Sequence, residues 1–362
     1  MFKLRGSLMM LAAAAMLGGC SEITDLDVEN QNNPDAARAL TSAEDTEALI
    51  GSSFYNWHLA VQKDGEPSWA LSVAGGEVTS SWGNWGMQDA GTIPRGPYIN
   101  NSGYSYSSVN SDPWYRLYGV VSSVNDGLTA IDDGMTFGEG GVNSPRARAW
   151  AKFNQGLAYG YLALMFDQAF LVDETVDLTA VSFDDVLVDY KGVMTAAIAM
   201  LDEAAQIASA NSFDIPADWV PASPQLNAAS LAKLAKSYSA RFVAQVARTP
   251  AERAAVNWQD VMTRANAGIT QNFTVTYDGD TWWEYIKNYA GNQTWMRASY
   301  LTIGETDKSG AYQTWLATPP QERQPFNVVT DDRRITGAGG PTTQGKYFQH
   351  RGPSAFRPDR GT

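Results

Sequence analysis

Two short stretches put aromatic rings beside polar groups: Ser81-Trp82-Gly83-Asn84-Trp85-Gly86 and Asp280-Thr281-Trp282-Trp283-Glu284-Tyr285. Indole and phenol faces pack on the C–H faces of sugars, while neighbouring amides and carboxylates take up the hydroxyls. Rings rimmed by polar groups are therefore the components of a carbohydrate site. The candidate ligand-binding residues are Trp82, Asn84, Trp85, Tyr104, Trp282, Trp283 and Tyr285, and the two stretches are expected to converge into one aromatic surface. The competing reading makes these rings small cores that pin long connections to the rest of the fold.

Other chemistry is sparse. One cysteine excludes an internal disulfide framework and a multi-cysteine metal site, and two histidines, His58 and His350, leave little for imidazole catalysis or zinc. No cofactor, metal or catalytic residue is assigned. A glycoside hydrolase is the enzymatic rival, since it needs two carboxyl groups roughly 5 to 9.5 Å apart. Asp278, Asp280 and Glu284 are its candidates, although acids are abundant enough for chance grouping. Asp278-Gly279-Asp280 is similar to the start of a calcium loop but lacks the later Glu and the frame, so it reads as a solvated turn. His58, next to Trp57, reads as a packed or surface histidine. Twenty-six basic against 39 acidic residues, a net charge of -13, argue against nucleic acid or an anionic lipid surface as the main partner. Tryptophan is overused: 12 Trp stand beside 13 Phe and 16 Tyr, so something besides core filling employs indole.

The elements that would carry these rings are helical. A length of 362 residues with 44% hydrophobic and 18% charged residues suits a folded chain of two units or one large helical array. Asp112 as N-cap with Pro113 at the first helical position predicts a helix whose apolar face is Trp114, Leu117, Val121, Val124, Leu128 and Ile131. A second helix opens near Ser144-Pro145 with Trp150, Phe153, Leu157, Tyr161 and Leu164, and Gly156 and Gly160 supply small faces for close packing. Further helices are predicted over 183–209 and 227–248, a shorter one after Pro250 with Trp258, and one over 41–61. Paired, alanine-rich amphipathic helices without convincing strands give a mainly α fold of tetratricopeptide-like helix pairs with little β structure. The helical domain is expected to run over 41–362, and 63–111 and 277–315 are its long, irregular, aromatic-rich insertions. A helical-repeat scaffold gripping a protein is the third reading.

Residues 1–19 read as a signal peptide, with Lys3 and Arg5 preceding an apolar run from Leu8 to Leu17 that is too short to span a bilayer. Leu17-Gly18-Gly19-Cys20 resembles the lipobox of bacterial lipoproteins, in which the cysteine becomes an acylated N-terminus. Losing the two positive charges of residues 1–19 takes the net from -13 to about -15, and the Asn-rich 20–40 stretch reads as a lipidated leash.

Seven elements stand in a fixed order: Cys20, Leu26-Asp27-Val28-Glu29-Asn30, Asp45 to Tyr55, Trp114-Tyr115-Arg116-Leu117-Tyr118, Val124-Asn125-Asp126-Gly127-Leu128, Ala149 to Phe166 and Ser230 to Val246. In these elements the chain resembles the SusD/RagB family of outer-membrane nutrient-binding lipoproteins. The resemblance implies a non-catalytic, surface-exposed lipoprotein, anchored by lipid in the outer membrane. Such a protein binds glycan or another nutrient and delivers it to a TonB-dependent, SusC-like transporter. Beyond Asp331-Asp332-Arg333-Arg334 the family's further Arg- and Glu-rich helices have no counterpart, so the C-terminal end is expected to be incomplete.

Overall fold

Helices start where the sequence supplies caps. In the computed structural model, which describes residues 40–63, 66–80, 84–284 and 296–337, the Ser42 hydroxyl accepts from the Asp45 backbone N–H at 3.1 Å and opens α1 (Ala43–His58). Next come α2 (Glu66–Ala74), β1 (Val78–Ser80), α3 (Met87–Gly91), α4 (Ser108–Asp132) and α5 (Ser144–Met165). They are followed by β2 (Gln168–Phe170), α6 (Phe183–Val186), β3 (Leu187–Asp189), α7 (Tyr190–Ala210), β4 (Ala222–Ser223) and α8 (Ala228–Gln245). The chain continues through α9 (Pro250–Ala255), α10 (Trp258–Asn266), β5 (Thr274–Val275), β6 (Met296–Ala298), α11 (Tyr300–Ile303), α12 (Ala311–Ala317) and α13 (Arg333–Thr336). The fold is mainly α, and the described strands, of two or three residues, form three two-stranded antiparallel pairs.

The core is organised around α5. It packs on α1, α4, α7 and α8, and residues on every side of it are buried, from Ala147 and Trp150 to Leu162 and Ala163. Small residues allow this. A Cβ on Gly160 would overlap the Phe242 ring, and one on Gly156 would sit 2.8 Å from the Leu201 side chain and 2.9 Å from the Ala197 carbonyl. Similarly, Gly127 of α4 receives Ile50 of α1. Each close approach exchanges a side chain for dense contact between helices, where every ångström of gap forfeits dispersion energy.

One cation is enclosed with the apolar groups. Lys152 of α5 is only 5% exposed, and its Nζ lies 2.6 Å from Glu174 and 3.2 Å from Glu203. Gln155 Nε2 donates to both Glu174, at 2.9 Å, and Asn125 Oδ1, at 2.7 Å. Asn125 Nδ2 donates to the Val172 carbonyl, while the Tyr159 hydroxyl bonds both the N–H and C=O of Val172. Tyr118 does the same for Phe170. The segment after α5 is thus held against the helices through its backbone, and the buried charge is satisfied.

Four sequence expectations change. α4 begins at Ser108 rather than at Asp112, because the turn before Pro113 is closed by backbone bonds such as Asn110 N to Ser107 O at 3.0 Å, leaving Pro113 inside the helix. The predicted helix over 183–209 is interrupted by β3, which pairs with β2, after which Asp189 caps α7 by accepting from Gly192 N at 2.8 Å. The helix after Pro250 is two helices, α9 and α10, separated where Asn257 caps the second; neither has a buried residue, and Trp258 is 49% exposed. The stretches 63–111 and 277–315 carry α2, α3, α11 and α12 as well as irregular backbone.

These two stretches meet. β1 pairs with β6 in the register Val78↔Ala298, the Thr302 hydroxyl donates to the Gly76 carbonyl at 2.6 Å, and Ile93 packs in one cluster with Tyr312 and Trp315. Arg323, 3% exposed, holds the junction: Nη1 donates to the Ile93 carbonyl at 2.8 Å and Nε to the Thr318 carbonyl at 3.0 Å, over the Trp315 ring.

Burial pushes the Glu174 carboxyl up, but hydrogen bonds from Lys152 and Gln155 outweigh it and hold the group below its ordinary 4.5. Its ionisation therefore stabilises the fold above that value and is lost as pH falls through the lower folded one. Glu174→Gln is expected to cost about 3 kcal/mol at neutral pH. It is also expected to flatten the decline in stability below pH about 4.5. Urea midpoints across pH 2 to 7 measure both.

Candidate functional site

The Trp85-Gly86 corner builds one wall of a cleft. Trp85 has φ 49° and ψ 41°, and Gly86 follows at φ 73°, so two consecutive residues are left-handed. Gly86 adopts this without penalty, but a bulky L-residue pays about 1–2 kcal/mol. Trp85 is the sole non-glycine with positive φ among the described residues. Such strain persists where surrounding structure enforces it, and it clusters at ligand sites. Here it leaves the indole half-buried, packed on a small core of Ala70, Val73, Met87 and Val109 and facing the cleft.

The next turn supplies the polar rim. α3 carries Asp89, whose Oδ2 accepts from the Tyr104 hydroxyl at 2.7 Å, and Tyr104 meets Tyr106 edge-on at 5.7 Å. A side chain at Gly86 would overlap that hydroxyl, so the bare backbone lets Tyr104 reach over the corner. Burial, then the bond to Asp89, pushes the Tyr104 phenol far above its ordinary value. It remains a neutral donor.

The opposite wall is 95–99. Tyr98 is 48% exposed; Asn110 Nδ2 fixes the backbone by donating to the Ile99 carbonyl at 3.1 Å; and Arg95 Nη2 donates to the Val73 carbonyl at 2.8 Å. Burial raises the Tyr98 phenol and lowers the Arg95 guanidinium. The cleft has a volume of about 160 Å³, below the roughly 300–1,000 Å³ that encloses a drug-sized ligand. It suits one ring of a longer molecule. Two other depressions, of about 280 Å³ beside the start of α8 and about 570 Å³ beside Leu40, are larger. Neither is lined by Trp or Tyr, so the smaller cleft is the better match to the expected chemistry.

Trp85 and Tyr104 are thus brought to one site. Trp282 is elsewhere: its ring, placed by the sequence on a second open platform, is 8% exposed in the principal core. It stacks on Phe54 at 6.2 Å and meets Tyr55 and His58 at 5.0 Å. Trp283 is half-buried, and its carbonyl accepts from His58 Nε2 at 2.9 Å, which makes His58 a packed histidine. Trp82, Tyr285 and Cys20 lie outside the described residues, as does the Asn84 side chain.

Two of the three carboxylates weighed for hydrolysis have local hydrogen bonds. Asp278 Oδ1 accepts from the N–H groups of Asp280 and Trp282, both at 2.8 Å, and Glu284 accepts from the Tyr277 hydroxyl at 3.0 Å. Among the described residues no group of three or more His, Cys, Asp and Glu is placed to hold a metal. Nor is any described helix long and apolar enough to cross a membrane. The residues that sequence reasoning missed are Asp89 and Arg95. Their one available signal was spacing: Asp89 stands four residues after Trp85, and Arg95 is the lone charge in Pro94-Arg95-Gly96-Pro97. No protein-family model matches the chain, and no curated protein matches it.

Gly86→Ala is expected to cost about 1–2 kcal/mol for the left-handed backbone, beyond any loss from moving Tyr104. Tyr104→Phe removes only a hydrogen bond, worth about 1 kcal/mol. Denaturation midpoints of the two variants check the order, and a smaller loss for Gly86→Ala contradicts the built corner.

Proposed function

We propose that this chain is a non-catalytic, lipid-anchored binding protein of the outer membrane. It captures an oligosaccharide or a similar nutrient and passes it to a TonB-dependent barrel transporter. The observation that carries the reading is the strained Trp85 indole beside Tyr98 and Tyr104, with Asp89 and Arg95 on the same cleft. Rings offer the stacking surface and the polar groups take hydroxyls. The anchor rests on Cys20 behind its small residues, and the transporter on the resemblance of the sequence elements to the SusD/RagB pattern.

A shallow, open site of this kind implies affinities between about millimolar and micromolar, or about -4 to -8 kcal/mol. Calorimetry with a panel of oligosaccharides on the mature chain is expected to find binding in that range, weakened about tenfold or more by Trp85→Ala. Unchanged affinity in Trp85→Ala and Tyr104→Ala removes the cleft from the function. For the transporter, affinity capture from detergent-solubilised outer membranes is expected to recover a barrel protein. Recovery of a different partner alone favours the scaffold reading.

A further inference from the structure

Arg95 differs from the cations that shape the fold: Arg323, also without a carboxylate among the described residues, spends its fork on three backbone carbonyls. Lys152, Lys236, Arg264 and Arg248 each lie within 4 Å of a carboxylate. In a chain with 39 acidic and 26 basic residues, a paired arginine is the ordinary outcome. Arg95 makes no ion pair among the described residues, and its one hydrogen bond is from Nη2 to the Val73 carbonyl near the end of α2. A guanidinium has five N–H donors in a rigid fork, so most of them remain for a ligand. Asp89, the acid on the same cleft, is engaged by Tyr104. Partial burial lowers the Arg95 pKa, while the residue as a whole stays exposed and no carboxylate among the described residues pairs with it.

The guanidinium also sits where a sugar substituent would arrive. Arg95 shares the cleft with Trp85, Tyr98 and Tyr104, so a ring stacked on those faces brings its exocyclic groups to the rim. A neutral hydroxyl would use one donor as a single bond. An oxyanion takes two in parallel, and such charge-assisted pairs are about twice as strong as neutral ones. Gly76 lies beside the guanidinium: a Cβ there would come 2.8 Å from the Leu301 side chain and 3.3 Å from Nη2. One bond thus anchors the arginine, and the rest of its fork is left at the cleft.

We propose that the sugar unit seated in this cleft is anionic, a uronate carboxylate or a sulfate ester, and that Arg95 pairs with it. This rests on the oligosaccharide reading of the cleft and narrows it to acidic glycans. The net negative charge of the chain does not oppose it, because charges farther than about 8 Å are screened at physiological salt while the contact pair is not. Binding selects acidic over neutral oligosaccharide through one contact.

The test is calorimetry on the mature chain with paired probes: oligomers of galacturonate, glucuronate and mannuronate, each beside its carboxyl-reduced form, and a sulfated galactan oligomer beside its desulfated form. At least one acidic probe is expected to bind about ten- to a hundredfold more tightly than its neutral partner. Arg95→Gln is expected to abolish that advantage, bringing the acidic probe down to the affinity of its neutral partner in the same variant, while Arg95→Lys keeps part of it. Which pair responds separates carboxylate from sulfate. Thermal melts of both variants show whether the α2 anchor survives, and Arg95→Lys preserves the charge if Arg95→Gln unfolds. If acidic and neutral forms bind equally, or the acidic preference persists in Arg95→Gln, the anionic assignment is overturned while oligosaccharide binding stands. If no probe of either kind binds, the oligosaccharide reading falls and this inference falls with it.

Discussion

The structure depends on enclosing one helix. α5 makes contact on all sides with α1, α4, α7 and α8, and a helix can be surrounded only if its neighbours come close enough to leave no gap. Gly156 and Gly160 make that possible toward α7 and α8, and Gly127 does the equivalent between α4 and α1. Glycine in a helix costs roughly 0.5–1 kcal/mol relative to alanine. Burying the rings and branched chains of Phe242, Leu201 and Ile50 against bare backbone offsets it, since full burial of each is worth about 1.5–3 kcal/mol.

Enclosure also dictates how polar groups are treated. Lys152 faces the interior, so the fold supplies two carboxylates for it and a chain of amides and hydroxyls around them. The same network anchors 170–174 through backbone groups, which makes that segment part of the frame although it contains little regular structure. Removing one member strands the others in a low dielectric. These bonds tie the helices to 170–174 as well as to one another, and the proposed site would gain from a frame already ordered, since ordering loops on binding would consume the small free energy available.

The cleft lies at the edge of this frame, on the part built by 66–110 and completed by 296–330. Arg323 with three backbone carbonyls and the Trp315 ring closes that part in the way a hydrophobic core alone would not, because guanidinium bonds fix direction as well as distance. Two aromatic populations result. Trp219, Trp282 and Trp315 are buried as packing, whereas Trp85, Tyr98 and Tyr104 line the surface depression. The packing reading of the excess tryptophan thus holds for the three buried rings, while the ligand role proposed for Trp85 remains a proposal.

Local chemistry was legible in the sequence itself. The start of α8 at Asn227, a helix opening at Pro250, the α5 helix from Ser144 and the mainly α class follow from caps and helical periodicity, which act within a few residues. The packing role of Gly156 and Gly160 was visible from composition. What acts over distance was not. β3 interrupts a helical pattern because residues 168–170 are there to pair with it, and α4 starts a turn early because 104–107 close ahead of it. Trp282 is a core residue only because α1 brings Phe54, Tyr55 and His58 around it. Asp89 and Arg95 join the cleft for the same reason. Sequence spacing determines which residues share a turn, while burial, pairing and the approach of a guanidinium to a remote carbonyl depend on contacts that only the closed tertiary structure creates.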